Sequence, residues 1–375
     1  MIIKTKPFKE ACTTVLNAID NSELSNYSEA LELIGKGSLL FLNITNKEYY
    51  VSVKFELEEE LKDEFKAVIN AYTFLKLIAA VTTEDIELKL KENYLAVKAN
   101  GNYKFPLIYE NGDLMKLPKI EIVNETLIMN VGGDLLSSVV NYNSKILNKK
   151  ETTPVQKLYY LDQEGCVTFT SCVCVNNFKL EKPIKLLLSN KVVRLFKLFK
   201  NDLLKFHLGY DKLNEYLTQT KIKLETSNIT LTTILPSDTL LSQYPIEQLR
   251  KLANTIYPFT TVLKVEEFLE ALNRLKVLDK NNEDCDFNCE ENKLILKVGE
   301  NEETLYIVND DKVPTKELNY KMTLKLDHIK SVLETCEDQY ITFNFGNKTS
   351  ATFVRGNIVN VLTEVIKEDL ENGLE

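Results

Sequence analysis

The segment KVVRLFKLFKN occupies residues 191–201 and combines apolar residues with a regular series of basic ones. Lys191, Arg194, Lys197 and Lys200 follow one another at steps of three. Such spacing places side chains along one side of a helix, in a slanted stripe, while the valines, leucines and phenylalanines point largely elsewhere. The segment therefore predicts a helix with one basic side and one apolar side.

Comparable helices recur along the chain. Two sets of positions mark the recurrence: Phe74, Val193 and Ile329 on a second helix, and Ala11, Leu136 and Phe268 on a first helix. Within each set the spacing is about one third of the 375 residues. Repetition on this scale exceeds that of solenoid repeats, so each unit is predicted to be a domain with its own core.

Each unit predicts a helix, strands, a second helix and further strands, because helical spacing of apolar residues gives way to alternation. The predicted helices are Phe8–Ile19, Tyr72–Val81, Asp134–Leu147, Lys191–Asn201, Glu266–Leu278 and Asp327–Thr335. The predicted strands include Tyr94–Lys98, Cys166–Val175, Lys293–Val298 and Tyr340–Phe345. The fold class is α+β, with antiparallel sheets and two helices per domain. The domains are 1–125, 126–257 and 258–366, followed by an acidic tail at 367–375.

Charge, apolar runs and cysteine content indicate which partners and which compartment the chain can have. The net charge is -9, and an acidic surface repels nucleic acid, so any role on DNA requires local basic surface. There is no run of about 18 apolar residues and no secretory signal, which predicts neither a membrane span nor export. Seven cysteines, an odd number in a large chain, predict reduced thiols in a cytosol-like compartment.

The sequence contains no recognisable catalytic, zinc-binding or phosphate-binding motif. The two histidines, His207 and His328, neighbour no nucleophile motif. The cysteine pairs at 172/174 and 285/289 lack zinc-site spacing, and Gly35 to Ser38 lacks the upstream glycine of a phosphate-binding loop. We therefore expect no catalytic residue, no metal and no cofactor. On charge alone, the basic helices favour a solvated face without a ligand.

Several stretches resemble the bacterial-type DNA polymerase III beta subunit, the DNA sliding clamp, over nearly the whole chain. They are NGNYKFPL (100–107), KLLLSNKVVRLFKL (185–198), ITLTTILPSDTLLSQY (229–244) and IVNVL (358–362). Three family motifs are replaced. Leu241-Ser242 stands for a Phe-Pro pair, residues 171–175 for Thr-Asp-Gly-His-Arg, and Val361-Leu362 for a Met-Pro. The chain is identified as a divergent member, with a phage as one candidate source.

The resemblance implies three tandem clamp domains with sheets outside and helices inside, in a head-to-tail dimeric ring around duplex DNA. It implies DNA-facing residues on the helices: Lys76, Lys145, Lys149, Lys150, Arg194, Lys197, Lys200, Arg274 and Lys330. It places Phe105 and Leu107 of one copy against Val277 and Leu278 of the other. Each of these residues could instead be ordinary core or solvated surface.

The resemblance also implies a groove that accepts a short peptide of each partner. Carried over by position, its walls are Pro154, Val155, Ser171, Cys172, Cys174, Leu241, Tyr244, Ile246, Val359, Val361 and Leu362. Implied partners are double-stranded DNA without sequence preference, a DNA polymerase, a clamp loader and a second copy, in the cytoplasm of a bacterium or infected host cell. Two alternatives stay open: an enzyme with a cryptic site, and a structural or interaction protein built of α+β repeats.

Overall fold

The computed structural model describes residues 1–20, 25, 27–146, 153–200, 202–212, 218–278, 283–290, 293–312, 320–347 and 349–365. The chain divides into two compact units. The first unit comprises residues 1–137 and 191–237. The second unit comprises residues 138–190 and 238–375, within the limits of the described ranges.

The same series of elements occurs three times along the chain: a strand, a helix, four strands, a helix and three strands. Repeat 1 contains β1 Ile2–Lys4, α1 Thr5–Ala18, β2 Ala30–Lys36, β3 Leu39–Thr45, β4 Tyr49–Glu56, β5 Phe65–Asn70, α2 Ala71–Ala80, β6 Asp85–Leu90, β7 Tyr94–Lys98 and β8 Asn102–Pro106. A two-stranded hairpin follows, of β9 Tyr109–Glu110 and β10 Asp113–Leu114.

Repeat 2 contains β11 Thr126–Gly132, α3 Gly133–Tyr142, β12 Leu158–Asp162, β13 Gly165–Phe169, β14 Cys172–Asn177, β15 Lys185–Ser189, α4 Asn190–Val193, β16 Leu203–Lys212, β17 Thr218–Glu225 and β18 Ile229–Ile234. Short 3₁₀ segments cover Asn143–Lys145, Pro154–Lys157 and Arg194–Leu198. Two connecting helices follow, α5 Asp238–Gln243 and α6 Ile246–Ala253.

Repeat 3 contains β19 Phe259–Lys264, α7 Val265–Leu278, β20 Asp284–Glu290, β21 Lys293–Val298, β22 Asn301–Tyr306, the additional β23 Asn309–Lys312, β24 Tyr320–Lys325, α8 Leu326–Leu333, β25 Tyr340–Phe345, β26 Ser350–Arg355 and β27 Ile358–Thr363. These elements give an α+β fold in which neighbouring strands of the described residues run antiparallel.

Strand order repeats as faithfully as element order. The first strand of each repeat heads a sheet with the last three, in the orders β1-β6-β7-β8, β11-β16-β17-β18 and β19-β25-β26-β27. The other four strands are ordered β5-β2-β3-β4, β15-β12-β13-β14 and β24-β20-β21-β22. The repetition predicted from residue spacing is therefore present in the hydrogen-bonded topology.

Sheets continue from one repeat into the next. In the first unit β18 pairs with β4, which gives an eight-stranded sheet. In the second unit β27 pairs with β14, and β23 adds to β19, which gives a nine-stranded sheet. At both junctions, the last strand of a repeat therefore joins the outer strand β4 or β14 of the repeat before it.

Aromatic side chains fill the core beneath these sheets. In the first unit Phe74 of α2 contacts Phe8 and Phe105 edge to face, with ring centroids 6.4 Å and 5.3 Å away. Phe8 and Phe74 are fully buried. In the second unit the largest cluster surrounds Phe268, with Phe343 and Phe353 stacked 4.7 Å apart. Helices α1, α2 and α7 are thus each fixed by an apolar side that packs on strands.

The helix predicted at 191–201 is α-helical only as far as Val193 and continues as a 3₁₀ segment. Three residues per turn place Arg194 and Lys197 directly above one another, whereas Lys191 lies on the α-helical part and Lys200 beyond the segment. The beginning of the helix is bound inside the first unit. Asp20, 4% exposed, lies 3.6 Å from Lys191 and 3.7 Å from Arg194, and Arg194 also donates to the hydroxyl of Tyr49 at 3.2 Å.

Two other predicted elements differ from the structure. The strand predicted at Cys166–Val175 is two antiparallel strands, β13 and β14, which turn at Thr170 and Ser171. The helix predicted at Asp134–Leu147 changes to a 3₁₀ turn at Asn143, and residue 147 lies outside the described ranges. Asn143 binds backbone carbonyls of the sheet below, which competes with helical hydrogen bonding.

We predict that Phe74→Ala lowers the free energy of unfolding by about 3–5 kcal/mol, because it leaves a cavity between the rings of Phe8 and Phe105. Chemical denaturation measures the decrease. Lys76→Ala on the same helix is the control, since this exposed side chain lies outside the core, and a change within about 0.5 kcal/mol is expected. Equal decreases for the two variants would contradict the placement of α2.

Candidate functional site

One face of the second unit's large sheet is apolar across four adjacent strands. Pairing places Tyr160 of β12 opposite Val167 of β13, and Val167 opposite Val175 of β14. Val175 is in turn opposite Val359 of β27, and Val173 is opposite Val361. Residues directly opposite one another share a face of the sheet, so these side chains form one continuous apolar surface.

Helices α5 and α6 lie on this surface and carry five of its other ten members. The surface comprises Leu158, Tyr160, Val167, Val173, Val175, Leu187, Tyr244, Leu249 and Val361, with Val155, Phe169, Leu240, Leu241, Ile246, Ala253 and Val359 partly exposed around them. We call this set the apolar face. Its partly exposed members leave hydrophobic area open to a ligand, the kind of surface at which peptides dock.

Tyr244 is the anchor between the helices and the sheet. Its ring stacks on Tyr160 and meets Phe169 edge to face, both with centroids 5.2 Å away. Burial raises the pKa of the Tyr244 phenol well above its usual value, so the hydroxyl stays neutral. It donates to the carbonyl of Val167 at 2.9 Å. The floor of the apolar face is therefore rigid and fully hydrogen-bonded at this point.

Six of the eleven residues predicted to form the groove belong to the apolar face: Val155, Leu241, Tyr244, Ile246, Val359 and Val361. Two others lie in nearby turns. Pro154 is exposed at the start of a 3₁₀ segment, and Ser171 is exposed in the β13–β14 turn. Ser171 contacts His328 of α8, with 3.0 Å between hydroxyl and ring nitrogen.

The remaining three, Cys172, Cys174 and Leu362, lie on the opposite side of the same strands, in the core cluster around Phe268. Burial raises the pKa of the Cys174 thiol, which suits an unreactive core side chain. Their strand neighbours Val173 and Val175 belong to the apolar face instead. Strand alternation shows that alternate residues face opposite sides of the sheet. The sequence alone does not show which alternate set faces the core.

The equivalent face of the first unit has the same strand pairing and opposite chemistry. The residues that match the apolar strand positions, when the paired strands of the two units are aligned, are Glu32, Asn43, Ser52, Tyr50, Thr230 and Thr232. Asn43 donates to Glu32 at 3.1 Å and accepts from Ser52 at 2.7 Å. Of these two equivalent faces, only that of the second unit can bind an apolar ligand.

Charged groups border the apolar face. Arg250 of α6 binds Asp162 at 2.6 Å and also contacts Glu164. Its guanidinium group is therefore neutralised within the chain.

The predicted basic residues divide into two groups. Lys76, Lys145, Lys197 and Lys200 are exposed and Lys330 is half-buried, and none has an ion pair with another described residue. Arg194 is held by Asp20, and Arg274 forms two hydrogen bonds with Glu303, at 2.8 Å and 3.0 Å. Lys149 and Lys150 lie outside the described residues. Free cationic charge on the helices thus comes from lysines.

The four residues predicted at an interface between copies also differ among themselves. Val277 and Leu278, at the end of α7, are 70% and 66% exposed. Phe105 is buried against Phe74 within its own repeat, and Leu107 is half-buried. Further exposed apolar residues were not predicted: Tyr72 on α2, and Tyr306 and Val308 at the end of β22.

No group of three or more histidine, cysteine or acidic residues that could hold a metal ion occurs among the residues described. No helix in the described part of the chain is long and apolar enough to cross a membrane. His207 lies between Glu125, at 2.7 Å, and Glu225, at 3.7 Å, and burial lowers its pKa. The candidate binding surfaces are the apolar face and the exposed lysines on the helices.

No family model and no curated protein matches the sequence. Solved structures match along the whole chain. The DNA polymerase III beta subunit from Thermotoga maritima superimposes with a TM-score of 0.76 at 14% identity, over 98% of this chain and 99% of that one. The beta chain from Streptococcus pneumoniae gives 0.79 at 14%, and the DNA polymerase sliding clamp from Bacillus subtilis 0.76 at 13%, with the same coverage. The chain therefore has the fold of the bacterial DNA polymerase III beta subunit.

Proposed function

We propose that this chain is a DNA sliding clamp, a non-enzymatic ring of two copies that encircles duplex DNA and tethers a DNA polymerase. One observation carries the proposal: among the described residues, two strands at positions where the repeats otherwise join are left without a partner strand. A clamp loader that opens the ring, and a cytoplasmic location with the replication proteins, belong to the same proposal.

The way in which successive repeats pair predicts how two copies of the chain assemble. β18 of repeat 2 pairs with β4 of repeat 1, and β27 of repeat 3 pairs with β14 of repeat 2. By the same rule β8 of repeat 1 requires the strand equivalent to β4 and β14, which is β22 of a third repeat. Within the described residues both β8 and β22 end their sheets. A second copy supplies the missing strand to each, and the head-to-tail contact closes.

Charge and exposed apolar surface support this contact. On β8 Lys104 is exposed, and on α2, which contacts β8 through Phe74 and Phe105, Tyr72 is 51% exposed. Near the β22 edge Glu300 and Glu302 supply negative charge, and Val277, Leu278 and Tyr306 supply apolar area. Opposite charges steer association, and the apolar residues provide area for burial.

We predict that Leu278→Glu converts the dimer into monomers, because it places a charge within the apolar part of the contact. Sedimentation velocity measures the result. The control is Leu252→Glu, since Leu252 is also exposed, at 40%, and its helix α6 packs on strands β13, β14 and β27. A Leu278→Glu protein that remains dimeric would remove this residue from the interface.

Lysines on the helices resolve the conflict between an acidic chain and a DNA partner. The net charge of -9 keeps DNA away from most of the surface. We propose that Lys76, Lys145, Lys197, Lys200 and Lys330 meet phosphates through the hole of the ring, with Lys149 and Lys150 as further candidates. Such contacts carry no base preference, which permits sliding.

We predict that neutralising Lys76, Lys197 and Lys200 together, each to Gln, weakens retention on circular DNA without unfolding. Each phosphate that a lysine no longer binds should decrease the slope of log affinity against log salt by about 0.9. The matched control carries Lys36→Gln, Lys89→Gln and Lys185→Gln, three exposed lysines on strands with the same total charge change. Identical salt slopes for the two triple variants would argue against the assignment.

We further propose that the apolar face binds the short peptide by which each partner attaches. Its open apolar rim beside a rigid aromatic floor supports this use, and a few apolar anchors would provide most of the affinity.

We predict that Val359→Glu weakens binding of the cognate polymerase about tenfold or more, which corresponds to about 1.4 kcal/mol or more. Surface plasmon resonance with immobilised polymerase measures the effect. Thr230→Glu is the control, because Thr230 occupies the equivalent position on the polar face of the first unit. If both variants bind equally well, the polymerase attaches elsewhere.

A further inference from the structure

At four equivalent interior positions, the junction of repeats in the second unit carries polar side chains or a thiol where the junction of the first unit carries aliphatic ones. In the first unit the positions are Val15, Ile44, Val51 and Leu231, all buried. In the second unit the equivalent positions, by helix start and strand pairing, are Asn143, Thr168, Cys174 and Asn360. All four are at most 2% exposed.

Asn143 accounts for part of this polarity. Its amide nitrogen lies 3.2 Å from the hydroxyl of Thr168 and 3.3 Å from the carbonyl of Cys174. These bonds attach the end of α3 to strands β13 and β14. The side-chain oxygen of Asn143 has no hydrogen-bond partner, although buried polar atoms are nearly always paired.

Arg355, at the end of β26, is a second buried residue with unpaired polar atoms. It is 6% exposed, and its guanidinium group lies against the ring of Tyr142, 4.3 Å from the centroid. One terminal nitrogen donates to the hydroxyl of Thr335 at 2.7 Å. The other terminal nitrogen and Nε are buried without a hydrogen-bond partner, and no carboxylate of the described residues forms an ion pair with the group. A buried charge without a counter-charge is strongly unfavourable.

Asn360 brings another unpaired donor to the same side of the sheet. Its side-chain nitrogen is buried and has no partner. Arg355 is opposite Ile358, and Phe353 is opposite Asn360, so Arg355 and Asn360 are diagonal neighbours on adjacent strands. Diagonal neighbours stand about 7–8 Å apart, within reach of long side chains on a shared face.

We propose that a small inorganic anion, with chloride as the probe, binds between the Arg355 guanidinium group and the Asn360 side-chain amide. It accepts hydrogen bonds from both donors and supplies the counter-charge that the described residues lack. Water alone would satisfy the amide but would leave the cation unneutralised. The site joins Tyr142 at the end of α3 to Thr335 beyond α8, so the anion stabilises the repeat junction within the second unit.

The first test follows thermal unfolding of the full chain as chloride replaces gluconate at constant ionic strength, because gluconate is too large for an enclosed site. The folded-to-unfolded ratio should rise about tenfold when chloride reaches ten times its dissociation constant. Arg355→Met should abolish the dependence on chloride. The control, Arg274→Met, removes an exposed arginine and should retain it. No specific effect of chloride on the unaltered protein overturns the proposal.

The second test needs no variant. Crystals of the unaltered protein soaked in sodium bromide should show an anomalous peak beside the Arg355 guanidinium group, and a peak-free site overturns the proposal. Asn360→Leu introduces the residue found at the equivalent position of the other junction, Leu231. It should retain the fold and weaken chloride binding at least tenfold. An unchanged chloride dependence in Asn360→Leu would exclude Asn360 from the site and overturn the proposal as stated.

Discussion

Antiparallel pairing between the last strand of one repeat and the outer strand of the preceding repeat is the interaction on which the rest depends. It joins β18 to β4 and β27 to β14, and merges the sheets of separate repeats into eight and nine strands. Unpaired backbone groups at a sheet edge attract another strand. Three such repeats form two junctions, and within the described residues β8 and β22 are left at the ends of their sheets. We propose that a second copy pairs with these two strands.

Identical pairing at the two junctions allows their side chains to diverge in function. The face of the first unit carries Glu32, Asn43 and Ser52 in a hydrogen-bonded row, whereas the face of the second unit carries Tyr160, Val167 and Val175 at the same positions. In the interior the difference is opposite: the second unit has the polar residues Asn143 and Asn360 where the first unit has the apolar residues Val15 and Leu231. One junction is thus an inert connection, and the other combines an open apolar surface with a polar interior.

Much of this fold could be predicted from the sequence because its signals are local. Helical spacing located α1, α2, α7 and α8 to within three residues at each end. Alternation located β7, β21 and β25 with the bounds that the structure shows. The strand pairs that join repeats are not local, and no residue pattern specifies them. The interior positions of Cys172 and Cys174 depend on which side of β14 faces the core. The engagement of Arg194 depends on Asp20, which is distant in sequence.

The three solved clamps that share this fold are 13–14% identical to the chain, so the architecture persists where most side chains differ. The central proposal is that two copies of the chain pair through β8 and β22. Light scattering over a dilution series tests this most directly. We expect a species of twice the 43.0 kDa chain mass that persists to submicromolar concentration. A mass of 43.0 kDa throughout the micromolar range would show that β8 and β22 remain unpaired, and would contradict the closed ring.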